Sequence, residues 1–276
     1  MRALTVVLCG LFGIACLPTL QAQQIVAHRG ASFDAPENTL AAFRLAWDQG
    51  ADAIEGDFYL TRDRQIVCLH DKTTKRVAPK QKELVVAQST LAELQQLDVG
   101  SWKGQAFADE RMPTLREVLA TVPPGKQILV EIKCGPEILP VLQTELAESG
   151  LDDQQVLVIC FSEAVITQAR QQMPQYKANW LTSYKQTGLG RSWAPDQQKV
   201  LAVLQRSKAT GLGTNANLDV VDDAFAGAVA KAGFELHAWT VNSIDAAKTL
   251  QALGVQSITT DRPLLIRDAI QSAALP

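Results

Sequence analysis

Two histidines stand directly after short apolar runs. Ile25-Val26-Ala27 leads into His28-Arg29-Gly30, and Gln65-Ile66-Val67-Cys68-Leu69 leads into His70-Asp71. Imidazole exchanges a proton near neutral pH, and a guanidinium grips phosphate through two parallel hydrogen bonds. Between them lies Glu55-Gly56-Asp57. Residues two apart on a strand face the same side, so this spacing turns two carboxylates to one face. Burying such a pair is costly without a counter-charge, and oxygen-rich sites suit magnesium or calcium. Further on, Ile128-Leu129-Val130-Glu131-Ile132-Lys133 puts Glu131 and Lys133 on a shared face. Glu131 can complete a ring of three carboxylates, and Lys133 can meet a phosphate oxygen. The plainer alternative is a buried Glu131–Lys133 ion pair, just as His28 alone would read as a satisfied structural residue.

Something must hold these groups together. Short β-type runs at 25–28, 53–60, 127–133, 156–161, 178–181, 210–213, 235–240 and 256–260 alternate with helix candidates at 39–49, 136–149, 162–172, 195–208, 220–232, 243–253 and 264–272. Asn38-Thr39, Ser162 and Asn242-Ser243 suit helix starts, and Gly50, Gly150, Gly233 and Gly254 suit helix ends. Strands separated by helices pair in parallel, and nearly continuous apolar runs fit burial on both faces. A closed (β/α)8 TIM barrel is therefore predicted. An open doubly wound sheet ranks second, because no G-x-G-x-x-G turn follows the first strand. In a barrel the ends of these strands form the rim where active sites sit. Residues 71–112 are too long for an ordinary connection and are expected to form a small insertion over the barrel mouth, with one helix at 90–97.

Composition sets the outer limits. The chain has 276 residues, 47% hydrophobic and 20% charged, enough for one barrel domain over 23–276. Its net charge of −3 argues against nucleic acid as the main partner. Arg2 followed by an unbroken apolar run to Leu17, then Pro18 and Leu20-Gln21-Ala22, reads as a signal peptide over residues 1–22. The run is short for a membrane span, so a secreted or periplasmic protein without stable membrane insertion is expected. Gly13-Ile14-Ala15 fits lipid attachment at Cys16 poorly. Beyond this segment, Cys68, Cys134 and Cys160 are odd in number and widely spaced, which suggests buried free thiols.

The order of motifs resembles the glycerophosphodiester phosphodiesterase family. The resemblance rests on His28-Arg29-Gly30, Pro36-Glu37-Asn38-Thr39, Glu55-Gly56-Asp57, His70-Asp71, Glu131-Ile132-Lys133, Trp239-Thr240-Val241-Asn242 and Thr260-Asp261-Arg262-Pro263. It implies a TIM barrel of the phospholipase C-like phosphodiesterase type with a small insertion after the second strand. It implies, further, metal-dependent hydrolysis of a glycerophosphodiester to an alcohol and glycerol 3-phosphate. On the same resemblance Glu55, Asp57 and Glu131 hold one divalent cation, Mg2+ or Ca2+, and His28 and His70 are the acid/base pair. Arg29 and Lys133 contact the phosphate, Trp239 forms a wall near the glycerol, and Glu37 supports the site.

Two stretches depart from the family pattern, Thr73 to Ala78, which lacks the usual glycines, and Trp180 to Arg191. Both bear on which alcohol is accepted. A lysophospholipid or other diester is the alternative substrate, and a catalytically silent binding barrel is the non-enzymatic alternative. The complete set of His28, His70, Glu55, Asp57 and Glu131 argues against the silent barrel. No long apolar rim segment is evident, so small soluble diesters are the expected substrates. His237 is read as barrel packing, and Tyr184, Lys185, Arg191 and Trp193 as a solvated loop.

Overall fold

The second predicted strand is buried along its whole length, as a strand between two layers must be. The computed structural model describes residues 23–188 and 192–271, so the signal-type segment 1–22 and Arg191 lie outside the described residues. The strands are β1 (Gln24–His28), β2 (Ala53–Leu60), β3 (Ile66–Cys68), β4 (Gln127–Ile132), β5 (Val156–Cys160), β6 (Lys177–Thr182), β7 (Lys185–Thr187), β8 (Ser192–Ala194), β9 (Gly211–Asn215), β10 (Glu235–Trp239) and β11 (Ser257–Thr260). The helices are α1 (Leu40–Asp48), α2 (Leu91–Leu94), α3 (Leu115–Leu119), α4 (Leu139–Glu148), α5 (Glu163–Gln172), α6 (Gln197–Ser207), α7 (Asp223–Lys231), α8 (Ile244–Ala252) and α9 (Pro263–Gln271).

Eight parallel strands close into a ring in chain order, β1-β2-β4-β5-β6-β9-β10-β11, with β11 pairing back to β1. This is the predicted TIM barrel. Its interior carries Val26, Ala53, Leu129, Leu157, Ile159 and Leu181, with Trp239 packed against them. A larger apolar layer fills the space between strands and helices. Strand register decides which polar side chains meet. His28 pairs with Glu55 across β1 and β2, and Asp57 pairs with Glu131 across β2 and β4. Each pair projects inward at the same end of the barrel.

Local signals start the helices. Thr39 caps α1 through Ala42 N–H, Ser162 caps α5 through Val165 N–H, and Asp196 and Asp222 do the same for α6 and α7. The expected cap at Asn242-Ser243 differs. Ser243 makes no side-chain cap bond, and Asn242 is committed instead to Asp261.

The chain after β2 folds back as a hairpin. β3 runs antiparallel to β2, with Phe58 opposite Cys68 and Leu60 opposite Ile66. Two histidines that each follow an apolar run would be expected to end neighbouring strands, but His28 and His70 do not: β1 and β3 are not paired with each other. β2 lies between them, and His70 arrives from above the rim, where Leu69 N–H donates to Asp57 C=O at 2.9 Å. Val86, Leu94 and Met112 of the insertion form a second small core together with Tyr59 of β2 and Val67 and Leu69 of the hairpin. The insertion's predicted helix is a single turn, α2, fixed by a Thr90–Glu93 capping box.

Tyr184, expected in a solvated loop, is buried. Its hydroxyl lies 2.8 Å from Thr214 Oγ1, and its ring meets Phe225 edge-on. Trp193 is half-buried against the main core, within the β7–β8 hairpin. The three cysteines of the described residues are free; Cys68 and Cys160 are buried and Cys134 is half-buried.

Candidate active site

The strand register brings three carboxylates together. Ligand-capable oxygens of Glu55, Asp57 and Glu131 all lie within 4.8 Å of one another, and all three residues are buried. Two cations face them. Lys133 Nζ lies 2.6 Å from Glu131 Oε1 and 3.3 Å from Asp57 Oδ1. The ion pair anticipated as the plainer reading of Glu131 and Lys133 is thus present, and Lys133 also lines the cavity. Arg29 Nε forms an ion pair with Asp57 Oδ2 at 3.1 Å, and Arg29 N–H donates to Glu55 Oε2 at 2.9 Å. That N–H reaches Glu55 because the chain turns sharply after β1. Arg29 has φ 57° and Gly30 φ 79°, and a Cβ at Gly30 would meet the Ala42 backbone at 2.5 Å.

The charges do not balance. Two cations oppose three carboxylates, and the carboxylates respond differently. Burial opposes ionisation of Asp57, but Lys133, Arg29, His70 and a hydrogen bond from Asn38 outweigh it and hold its carboxyl low. Burial, then Asp57 and Glu131, pushes Glu55 well above the usual carboxylate range. Burial and Asp57 also raise Glu131, against the pull of Lys133. Glu55 Oε1 is buried without a hydrogen-bond partner, and Asp57 Oδ1 has only its ion pair with Lys133. An orphaned buried carboxylate oxygen requires an explanation, and a hard cation is one that hard oxygen ligands fit.

Both histidines are held by aspartates. His28 Nδ1 lies 2.7 Å from Asp261 Oδ1, and His70 Nδ1 lies 2.7 Å from Asp71 Oδ1. Asp261 also accepts from Ser32 Oγ at 3.0 Å and from Asn242 Nδ2 at 2.6 Å. Burial disfavours its charge, yet the bonds from His28, Asn242 and Ser32 prevail and hold its carboxyl down at about 2. A carboxylate so ionised can only accept, so His28 Nδ1 is the donor and Nε2 is left for proton exchange. Asp71 is likewise held low, by Arg76 and His70 against burial. Burial, with Arg29 and Lys133, lowers His70 against the influence of Asp57 and Asp71.

His28, Arg29, Glu55, His70, Glu131 and Lys133 line one side of a cavity of about 130 Å³. Ile159, Phe161, Leu181 and Trp239 line the other, with Thr240 and Thr259. Trp239 and Phe161 meet edge to face, 5.5 Å apart at 80°. Asp57 sits beneath the cavity surface. Glu37 lies behind Arg29, accepting from its Nη1 at 3.0 Å, as a supporting group would. His237 is away from the cavity wall, 8% exposed, with Nδ1 2.8 Å from Ser257 Oγ.

Sequence reasoning missed several members of this site. Asp261 and Asp71 stood inside quoted motifs without a role, and Asn38 was read only as a helix-start residue beside Thr39, which alone caps α1. Asn38 brackets Asp57, donating from Nδ2 at 2.8 Å and accepting the Asp57 N–H at 3.2 Å. Phe161 was placed at a strand end only. Arg76 fell in a stretch set aside as a departure.

Barrel and site together define a TIM-barrel enzyme whose charged half suits a polar anionic substrate and whose other half is apolar. The chain belongs to the glycerophosphoryl diester phosphodiesterase family, whose family model matches residues 28–265. Among curated proteins it is similar to YhdW of Bacillus subtilis, 37% identical over 247 residues that cover 88% of this chain and 97% of that one. A glycerophosphodiester phosphodiesterase of Caldanaerobacter subterraneus subsp. tengcongensis is 32% identical over 244 residues, covering 87% and 94%. Among solved structures, a phosphodiesterase of Oleispira antarctica in complex with its product sn-glycerol-3-phosphate superposes with a TM-score of 0.78. That pair is 28% identical and covers 90% of this chain and 96% of the other. The protein is a glycerophosphodiester phosphodiesterase by this kinship, and a small molecule is its substrate.

Proposed function

We propose that the protein hydrolyses glycerophosphodiesters to an alcohol and glycerol 3-phosphate, with His28 and His70 moving the protons and Glu55, Asp57 and Glu131 holding one divalent cation, Mg2+ or Ca2+. The observation that carries this reading is the shared cavity. Both histidines open on the same space as Glu55, Glu131 and Lys133, with Asp57 just beneath, and both present Nε2 because aspartates occupy Nδ1.

A bound cation would offset the surplus negative charge of the carboxylates and that of the phosphoryl oxygens. Arg29 and Lys133 provide fixed positive charge where the phosphoryl group gathers negative charge in the transition state. One histidine accepts a proton at Nε2 from the attacking oxygen while the other, protonated, donates from Nε2 to the departing alkoxide. The attacking oxygen is water or the substrate's own glycerol hydroxyl. The apolar wall of Trp239 and Phe161 fits the carbon face of a glycerol unit.

A second reading has one observation in its favour. Phe33, Trp102, Phe161 and Leu218 are exposed on segments that leave the C-terminal ends of strands or lie in the insertion over them. The rim is therefore more apolar than the sequence suggested, which suits a lysophospholipid. No helix among the described residues is long and apolar enough to cross a membrane. Residues 1–22 support export to the periplasm or medium, where such diesters would be met. A single assay separates the readings: turnover of glycerophosphocholine and lysophosphatidylcholine, each before and after chelation and after return of Mg2+ or Ca2+. Faster, cation-restored turnover of glycerophosphocholine is expected. Preference for the lysolipid selects the second reading, and full activity after exhaustive chelation overturns the metal's part in both.

A further inference from the structure

Arg76 lies in the turn-rich stretch that follows His70, and the proposed chemistry makes no use of it. Its guanidinium is nonetheless committed through all three nitrogens. Nε donates to Asp71 Oδ2 at 2.7 Å, Nη1 to Glu37 Oε2 at 2.6 Å and Nη2 to Glu37 Oε1 at 2.9 Å. Each of those carboxylates holds one group of the site. Asp71 Oδ1 takes Nδ1 of His70 at 2.7 Å, and Glu37 Oε1 takes Nη1 of Arg29 at 3.0 Å. We propose that Arg76 is a positioning residue that bridges Asp71 and Glu37 and so locks His70 and Arg29 into one mutual geometry. The proposal rests on the reading that His70 and Arg29 act on the bound phosphodiester.

Three observations support it. First, the backbone near Arg76 is anchored. Thr74 is fully buried, exchanges hydrogen bonds with Leu84, and accepts the Ala78 N–H at 2.8 Å; Val77 and Ala78 belong to the second small core. The insertion thus delivers a guanidinium whose position is set by packing. Second, Asp71 and Glu37 face the same guanidinium, and two carboxylates so close repel one another when the cation between them is gone. Burial opposes ionisation of Glu37, and hydrogen bonds from Arg76 are the foremost effect that keeps its carboxyl low. Third, Asp71 is about one-third exposed, with its side chain at 35%. Released from Arg76, it can turn to water, and His70 then loses the acceptor that fixes its tautomer.

A lysine cannot replace this group. An ammonium is a point charge, whereas the bridge uses a planar fork with donors on two edges.

The test uses Arg76→Ala, Arg76→Lys and Arg76→Gln in the full protein, with glycerophosphocholine as substrate. Arg76→Ala should lower kcat by about 10²-fold, the scale expected for a displaced catalytic group, while KM changes little. Free guanidinium in the assay should restore part of that loss in Arg76→Ala and should leave the wild type unchanged. Arg76→Lys should stay close to Arg76→Ala. The second readout needs no turnover: the 15N shifts of the His70 ring should show one fixed Nδ1–H tautomer in the wild type and a tautomer mixture in Arg76→Ala. Wild-type kcat together with unchanged His70 shifts in Arg76→Ala or Arg76→Gln, even with a lower Tm, would overturn the proposal and leave Arg76 as a fastener of the insertion. An inactive wild type would count against the substrate reading instead, and the His70 shifts would still decide the role of Arg76.

Discussion

His28 and Asp261 are 233 residues apart in sequence and 2.7 Å apart in the barrel, because β11 closes the ring beside β1. Asp261 is in turn clamped by Ser32 and Asn242, so the His28 ring is fixed by a network rather than by one bond.

Removing that carboxylate should therefore impair His28 without touching it. Asp261→Asn is expected to lower kcat on glycerophosphocholine by roughly 10²-fold or more, since loss of the acceptor permits the wrong tautomer. The carboxyl is depressed in the folded state to about 2. Its contribution to stability is thus present above the unfolded value of about 3.9 and is lost as pH falls toward 2. Acid unfolding of wild type and Asp261→Asn should differ most above pH 4 and converge near pH 2. Parallel unfolding curves over that whole interval would contradict this assignment.

Glu55 behaves in the opposite sense. Burial and its carboxylate neighbours raise its folded-state value. Its penalty is absent below about pH 4.3 and grows as pH rises above that value. Without divalent ion, Glu55→Gln should therefore melt higher than wild type at pH 7 and alike at pH 4. Relief of an uncompensated buried charge of about 1–3 kcal/mol corresponds to roughly 2–4 °C per kcal/mol at this chain length. With saturating Mg2+ or Ca2+ the order should reverse, because the variant loses a ligand. Thermal melts with and without the ion test both halves, and an unaltered order on adding either ion would count against the carboxylate trio as a cation site.

Phe161 should affect binding more than chemistry. It stacks edge-on against Trp239 and forms the apolar wall with Ile159 and Leu181, with no proton to give. Phe161→Ala is expected to raise KM for glycerophosphocholine several-fold, consistent with about 0.5–1.5 kcal/mol for an aromatic pair beyond its buried area, and to leave kcat within about twofold. A fall in kcat at unchanged KM would show that the wall acts on the reacting atoms.

How legible this was in the sequence depended on distance along the chain. Glu55 and Asp57, or Glu131 and Lys133, were readable because strand alternation dictates their common face from two residues of spacing. The barrel was readable because eight strand-like runs alternate with capped helices. What escaped was set by closure of the ring or by the insertion. Nothing local in Thr260-Asp261-Arg262 says that Asp261 will meet His28, and nothing around Arg76 says that it will reach Glu37, 39 residues earlier. Tyr184 was misjudged for the same reason, its partners Thr214 and Phe225 lying on later elements. The direction of β3 had a signal that was available. Thr61-Arg62-Asp63-Arg64 is a polar turn between two apolar runs, and it folds with Arg64 at φ 59° as a hairpin.

The central claim is that His28 and His70 together carry the protons of diester cleavage. It is tested most directly by kcat for His28→Ala and His70→Ala on glycerophosphocholine and on a nitrophenyl diester. Both variants should lose about 10²–10⁴-fold on glycerophosphocholine, whose alkoxide is a poor leaving group. On the nitrophenyl diester, one variant should recover most of its activity, because that leaving group needs no proton, while the other stays impaired for want of an activated nucleophile. Near-normal turnover of glycerophosphocholine by both single variants would contradict the mechanism outright.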